Sequence, residues 1–203
     1  MPTALRPPPP DLDLIAPFER PLSTAEYRRM AEAGILGPDS RVELIDGRIV
    51  VMSPILPPHV HTLLRLTDLL AQRLYAAPPA PARMSIQSSF ALFDGTEPEP
   101  DLVLVRPGMP EDRLPGPEDA LLVVEVSDST LRYDRTVKRA RYAEAGISEM
   151  WILDIEGRAV EIGRQPEGRA YRTLDRLAEG EAVGIEALPD LVPLPVTDLF
   201  PSP

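Results

Sequence analysis

The sequence predicts a single domain of mixed α/β class, and three observations support this. The chain has 203 residues, of which 43% are hydrophobic, enough for one domain with a substantial core. Short apolar runs typical of strands alternate with segments that carry apolar residues at helical spacing. A strand–helix–strand unit over residues 120–154 requires a parallel pair of strands. We therefore expect a mixed sheet with flanking helices and additional hairpins.

The chain begins with a proline-rich arm and a short capped helix. Residues 1–18 are rich in proline and are predicted to lack fixed structure, which leaves residues 19–203 as the domain. Ser23 and Glu26 form a capping-box pattern before a helix that we expect to end at Gly34.

A hairpin and a long helix follow. Asp46 and Gly47 stand between two apolar runs, which is a strong signal for a tight β-hairpin. The next segment, HVHTLLRLTDLLAQRLY, carries leucine at helical spacing and predicts a long amphipathic helix. The proline-rich stretch AAPPAPAR ends it.

The C-terminal half supplies most of the predicted sheet. The strand candidates are MSIQSSFALF, PDLVLV, ALLVVEV, EMWILD and RAVEIGR, the last two joined by a turn at Glu156-Gly157. A helix is predicted over 134–145, with Gly146 as its C-terminal cap. The tail, residues 175–203, is interrupted by prolines and ends in LFPSP.

Composition excludes several classes of protein. The absence of cysteine rules out disulfides, thiolate metal sites and a cysteine nucleophile. The net charge of −11 argues against a general nucleic-acid coat protein but not against a nuclease, because an acidic metal site would carry part of that charge. No apolar run is long enough for a membrane span, and the N-terminus lacks a signal-peptide core. We expect a soluble cytoplasmic protein.

Two carboxylates and one lysine are the main candidates for chemistry. Lys138 is the only lysine of the chain, and a compact ammonium cannot be replaced freely by arginine at a site that needs it. Asp101 opens one apolar strand and Glu125 nearly closes another. If the two strands are neighbours, their carboxylates and the Val126 carbonyl can bind Mg²⁺ or Mn²⁺. This pattern is typical of a metal-dependent phosphodiesterase.

The predicted helix could bring Lys138 to these carboxylates. Asp134, Lys138 and Tyr142 follow one another at intervals of four residues and therefore share a helix face. From there the ammonium could orient the attacking water or stabilise the charge of the transition state. The alternative is a surface ion pair between Asp134 and Lys138 with little energetic value. Tyr142 and Trp151 are predicted to be core residues.

For the other polar residues, the sequence allows two interpretations each. Glu43 could be a third acid at the metal site or an exposed strand residue. His59 and His61 have the wrong spacing for a helical metal pair, and His61, in the first turn, is a possible nucleic-acid contact. Arg132, Arg135 and Arg139 could likewise bind a phosphate backbone or form a solvated helix face.

The segments EPDLVLV and LLVVEVSDSTLRYDRTVKRARYAEAGISEMWILD, with the hairpin VELIDGRIVVMSP, resemble the Uma family of putative restriction endonucleases, within the PD-(D/E)XK nuclease superfamily. The resemblance implies a restriction-endonuclease-like core with Asp101 and Glu125 as metal ligands. The superfamily lysine would fall on Ser127, and Lys138 is the candidate replacement from the following helix. Glu43 or the His61 helix would supply the remaining acidic or polar position.

Three functions follow as hypotheses. The first is a Mg²⁺- or Mn²⁺-dependent endonuclease acting on DNA, with Glu43, Asp101, Glu125 and Lys138 as its catalytic residues and a homodimer making the two cuts of a duplex. The second is a non-catalytic binding or regulatory protein on the same fold, which the acidic charge favours. A glycosidase with paired carboxylates is a third, weakened by the aromatic content of 5%.

Overall fold

The computed structural model describes residues 20–37 and 39–201, so the predicted proline-rich arm lies outside the described residues. The elements, in chain order, are α1 Thr24–Glu32, β1 Val42–Ile45, β2 Arg48–Val51, α2 Pro57–Leu74, β3 Arg83–Ile86, β4 Leu102–Val105, β5 Ala120–Ser127, α3 Leu131–Tyr133, a π-helical turn Asp134–Lys138, α4 Arg139–Glu144, β6 Glu149–Asp154, β7 Ala159–Glu167, β8 Ala170–Ala178, β9 Ala182–Val183, β10 Leu194–Pro195 and α5 Val196–Leu199.

A six-stranded sheet with the order β3-β4-β5-β6-β7-β8 forms the centre of this architecture. Its neighbouring strands are antiparallel except for β5 and β6, which are parallel. Parallel neighbours need a crossover connection, and the helical segment 131–144 supplies it. The mixed α/β class and the predicted strand–helix–strand unit are confirmed.

Local sequence signals account for the N-terminal elements. The Ser23 hydroxyl accepts a hydrogen bond from the Glu26 backbone amide, and the Glu26 carboxylate accepts one from the Ser23 amide, which completes the predicted capping box of α1. In the β1–β2 turn, Asp46 has φ 53° and Gly47 has φ 72°. A tight hairpin needs this left-handed pair, so the predicted hairpin is confirmed.

Hydrophobic clusters cover both faces of the sheet. Alternate residues of β4 and β5, such as Leu102 and Val124, pack with leucines of α2 and with α5 on one face. The other set, such as Val103 and Val123, packs on the opposite face with Tyr142 of α4. Because strand side chains alternate between faces, Glu125 belongs to the face that α4 covers.

Two predictions need correction. The candidate strand MSIQSSFALF is regular only over Arg83–Ile86, because Gln87 adopts φ 44° and this left-handed residue ends the extended run. Conversely, β9, β10 and α5 lie in the tail 175–203, and β8 begins before it at Ala170; no element was assigned to these segments from the sequence. In the described ranges, no helix is both long and apolar enough to cross a membrane.

Candidate active site

A cleft of about 280 Å³ opens at the end of the sheet where β4 begins and β5 ends. The paired strands run antiparallel, with Leu102 opposite Val124 and Val103 opposite Val123. One further step along this register brings Asp101 beside Glu125. Asp101 is held there by the Val126 backbone amide, which donates a 2.8 Å hydrogen bond to its Oδ2 atom. The two strand carboxylates predicted to converge therefore do so.

Lys138 joins this cluster from the crossover helix. Its Nζ lies 3.1 Å from Glu125 Oε1 and 3.2 Å from Glu43 Oε2, and the residue is only 6% exposed. The ammonium thus links β1 of the hairpin to β5 of the central sheet. The structure brings together Glu43, Asp101, Glu125 and Lys138, the four residues singled out in the sequence as catalytic candidates.

The crossover helix is irregular at this point. The backbone amide of Arg139 donates to the Asp134 carbonyl, so Asp134–Lys138 forms a π-helical turn where an α-helix was predicted. The side chain of Asp134 is fixed by the Ser127 and Thr130 hydroxyls, each donating at 2.7 Å to Oδ2. Wide turns of this kind are frequent at functional sites. Here the turn carries Lys138 at its end and Asp134 at its start, both buried at the cleft.

The site contains more buried acidic groups than one ammonium can balance. Burial raises the pKa of Glu125 well above its usual range, and repulsion from Asp134 and Asp101 adds to the effect although Lys138 opposes it. Burial also raises the pKa of Asp134, and burial together with Glu43 raises that of Glu99. Uncompensated carboxylates in a low-dielectric site favour binding of a cation.

Lys138 itself stays charged. Burial alone would lower the pKa of its ammonium, but Glu125 and Glu43, followed by Asp134 and Asp101, outweigh that effect and raise the pKa above its usual range. The residue therefore provides a permanent positive charge at the centre of the carboxylates.

Two tyrosines complete the site. The Tyr142 hydroxyl donates a 2.6 Å hydrogen bond to Glu125 Oε1, and Tyr133 donates a 3.4 Å bond to Glu43 Oε1. Burial raises the pKa of both phenols, which keeps them protonated as donors. Tyr142 is buried as predicted, but its polar role was missed. Its position four residues after Lys138 was the available signal.

Of the two histidines, it is His59 that faces the cleft. Its Nε2 lies 2.9 Å from Asp101 Oδ1, and the side chain is 14% exposed. Burial lowers the pKa of His59, but contacts with Asp101 and with the Val126 carbonyl outweigh burial and raise it. His61 is exposed on α2 and does not line the cleft.

The arginines of the crossover segment are mostly occupied within the protein. Arg135 Nε donates to Glu161 Oε1 at 2.9 Å, and its guanidinium also lies 3.3 Å from Asp154. Arg139 donates to Glu161 Oε2 at 2.5 Å. Arg132 is exposed. Two of the three predicted phosphate-binding arginines are therefore paired with carboxylates of the sheet.

The donor set fits a hard divalent cation. Across residues 20–37 and 39–201, no three His, Asp or Glu side chains stand close enough together to enclose a metal ion by themselves. Mg²⁺, however, is commonly held by one or two carboxylates and keeps several of its waters. Asp101, Glu125 and the Val126 carbonyl match that requirement, and the excess of negative charge points the same way.

The six-stranded mixed sheet with flanking helices agrees with the nuclease-like α/β fold that the resemblance implies. A family model described as Uma2, putative restriction endonuclease, matches residues 24–197. The chain therefore belongs to the Uma2 family, which confirms the resemblance seen in the sequence.

A comparison with solved structures agrees. A structure described as a putative nuclease belonging to DUF820 from Anabaena variabilis matches 89% of this chain and 98% of that chain, with a TM-score of 0.67. The sequence identity is 14%, so this likeness shows a shared fold. No curated protein matches the sequence.

Proposed function

We propose that the protein is a Mg²⁺- or Mn²⁺-dependent endonuclease that hydrolyses phosphodiester bonds of DNA. The observation that carries the proposal is the contact of Lys138 with both Glu43 and Glu125 beside Asp101, at the end of two paired strands. The sole lysine of the chain occupies this position, although the superfamily pattern would place it two residues after Glu125. Family membership supports the same reaction class.

Each residue has a role that follows from its place. Asp101, Glu125 and the Val126 carbonyl would hold the cation, and Glu43 would add a ligand directly or through water. When bound, the cation would lower the pKa of a coordinated water and polarise the phosphate. Lys138 would orient the attacking water and stabilise the negative charge that develops on the phosphate oxygens. Tyr142 would hold the Glu125 carboxylate in one orientation through its 2.6 Å hydrogen bond.

Calorimetric titration with MnCl₂ tests the proposal most directly. We expect micromolar to millimolar binding by the wild type and none by the Asp101→Ala/Glu125→Ala double variant. Glu149→Gln is a matched control, because Glu149 is as deeply buried as Glu125 but does not line the cleft. Nicking of a supercoiled plasmid in MnCl₂ or MgCl₂, with a single-stranded RNA as second substrate, then tests catalysis and substrate class.

The rival proposal is a non-catalytic binding protein on the same fold. Two observations favour it. The net charge of −11 repels a phosphate backbone, and the internal pairing of Arg135 and Arg139 leaves fewer cationic side chains to bind one. Absence of Mn²⁺ binding, both alone and with a DNA oligonucleotide, would support this rival. A homodimer, which would supply one active site for each strand of a duplex, can be tested by sedimentation of the full chain.

A further inference from the structure

We infer that His59 is a nitrogen ligand of the cation at this site and that it shifts the metal preference from Mg²⁺ towards Mn²⁺. The inference rests on the proposed metal-dependent function and adds a residue that the sequence pattern did not assign to the site.

The position of His59 is rigid. The residue lies in the first turn of α2, and Leu63, Leu66 and Leu70 of the same helix are buried in the main core. The helix therefore holds the ring at a fixed distance from the end of the sheet. Donor groups on a packed helix are better placed for metal binding than groups on a free loop.

The ring nitrogen that faces the cleft has a close partner in Asp101, with which it can form an ion pair when protonated, but it makes no well-aligned hydrogen bond. Nε2 is buried, and within the described chain it has no hydrogen-bond partner of acceptable geometry. It does lie 2.9 Å from Asp101 Oδ1, but the two atoms are not aligned for a hydrogen bond. Buried polar atoms are normally satisfied, so an exception suggests a partner such as an ion.

The distance between the two atoms suits a shared cation. Neighbouring ligands of an octahedral ion with bonds of about 2.1 Å lie about 3.0 Å apart. His59 Nε2 and Asp101 Oδ1, at 2.9 Å, have this separation. These two side chains would bind the cation directly and Glu125 would reach it through a coordinated water, because no three His, Asp or Glu side chains of the described residues enclose an ion by themselves. Val126, whose carbonyl is the candidate backbone ligand, also lines the cleft. A bound cation would replace the proton that the imidazole can otherwise take.

A nitrogen ligand has a chemical consequence for selectivity. Mg²⁺ is bound mainly by oxygen, whereas imidazole suits first-row transition metals better, and their affinities generally rise along the series from Mn²⁺. Removal of His59 should therefore weaken Mn²⁺ binding more than Mg²⁺ binding. If His59 were only a charge partner of Asp101, its removal would change both affinities in the same proportion.

The first experiment compares metal affinities of the tag-free full chain. MnCl₂ titration, with MgCl₂ measured by competition, is applied to wild type, His59→Ala and His61→Ala. We expect His59→Ala to lower Mn²⁺ affinity by about tenfold or more, with a smaller change for Mg²⁺. His61→Ala is the matched control, since it removes an exposed imidazole from the same turn of α2 and should leave both affinities unchanged.

A spectroscopic measurement avoids dependence on one variant. The chain has two histidines, so His61→Ala leaves His59 as its one imidazole. Pulsed electron paramagnetic resonance of Mn²⁺ bound to that variant should show coupling to a directly coordinated imidazole nitrogen, with the change of nuclear frequency expected after ¹⁵N-histidine labelling. The coupling should be absent in His59→Ala.

The two proposals fail in different ways. In one outcome, the wild type binds Mn²⁺ in a way that depends on Asp101, but no imidazole coupling is seen and His59→Ala keeps the wild-type ratio of Mn²⁺ to Mg²⁺ affinity. This outcome would overturn the role of His59 and leave the metal-dependent function standing. Absence of Mn²⁺ binding by the wild type, with and without DNA, would overturn both.

Discussion

Glu125 and Glu149 lie on neighbouring parallel strands and are both buried, with exposures of 3% and 1%, yet their surroundings differ completely. Glu149, at the start of β6, accepts hydrogen bonds from Trp151 Nε1 at 2.8 Å, from the Arg164 guanidinium and from the Glu186 amide at 2.7 Å. Glu125, near the end of β5, shares Lys138 with Glu43 and faces Asp101 and Asp134.

The difference separates a carboxylate whose charge is compensated by its neighbours from one that we propose binds a cation. A buried charge stabilises a fold only when its partners replace the lost hydration, and the donors around Glu149 do so. The site around Glu125 leaves several carboxylates competing for one ammonium. Such an arrangement lowers stability, and under the proposed function a bound cation would offset the repulsion between these carboxylates; loss of stability at the active site in return for activity is common in enzymes.

The largest expected effect comes from removal of the shared ammonium. Lys138→Met should reduce metal-dependent cleavage by at least about 100-fold, because charge stabilisation in a buried site contributes on that scale. Initial rates of plasmid nicking check this. Retained Mn²⁺ binding, measured by calorimetry, would show that the variant is folded. Cleavage at the wild-type rate would remove Lys138 from the mechanism.

A matched pair of substitutions tests the comparison itself. Glu149→Gln should lower the free energy of unfolding by about 2 kcal/mol, because it replaces hydrogen bonds to a charged acceptor, and should leave Mn²⁺ binding intact. Glu125→Gln should abolish Mn²⁺ binding with little loss of stability, because it removes one of the mutually repelling charges. Urea unfolding and calorimetry on both variants measure the two effects. Equal destabilisation by the two changes would contradict the distinction.

The smallest expected effect concerns Glu161, a compensated carboxylate outside the cleft. Burial raises its pKa, but hydrogen bonds from Arg135 and Arg139 outweigh burial, so the pKa is lowered. The ionised Glu161 therefore adds to the free energy of unfolding at pH values above the usual pKa of Glu. This contribution is lost as the pH falls through the lowered pKa. We expect this contribution to the free energy of unfolding to be less than about 1 kcal/mol, because solvent screens the ion pairs.

Unfolding measurements between neutral and acidic pH on wild type and Glu161→Gln check this prediction. The difference between the two proteins should shrink on acidification. A difference that grows as the pH falls would show that the sign is wrong.

Much of the fold was predictable because its signals are local. The capping box at Ser23, the turn at Asp46-Gly47 and the cap at Gly146 each depend on residues close in the chain, and all appear in the structure. The end of strand β3 at Gln87 and the C-terminal strand β8 were missed. In both regions, the pattern of apolar residues did not reveal where a neighbouring strand would supply backbone hydrogen bonds.

The residues of the candidate site could largely be predicted from the sequence, but the contacts between them could not. Asp101 and Glu125 border apolar runs, and a lysine-poor chain draws attention to Lys138, so these residues could be found in the sequence. The spacing of the histidines could not show that His59 faces the cleft while His61 is exposed, because the rotation of α2 is set by its core leucines. The pairing of Arg135 and Arg139 with Glu161 was equally hidden.

The sequence by itself determined the class of fold, the hairpins, the crossover unit and the set of acidic and basic candidates, because propensity, turn chemistry and periodicity act over a few residues. Only the tertiary structure decided that Lys138 would be shared by Glu43 and Glu125 and that Asp134–Lys138 would form a π-helical turn. These features depend on contacts between segments far apart in the chain, and their energies come from burial and charge that no local pattern contains.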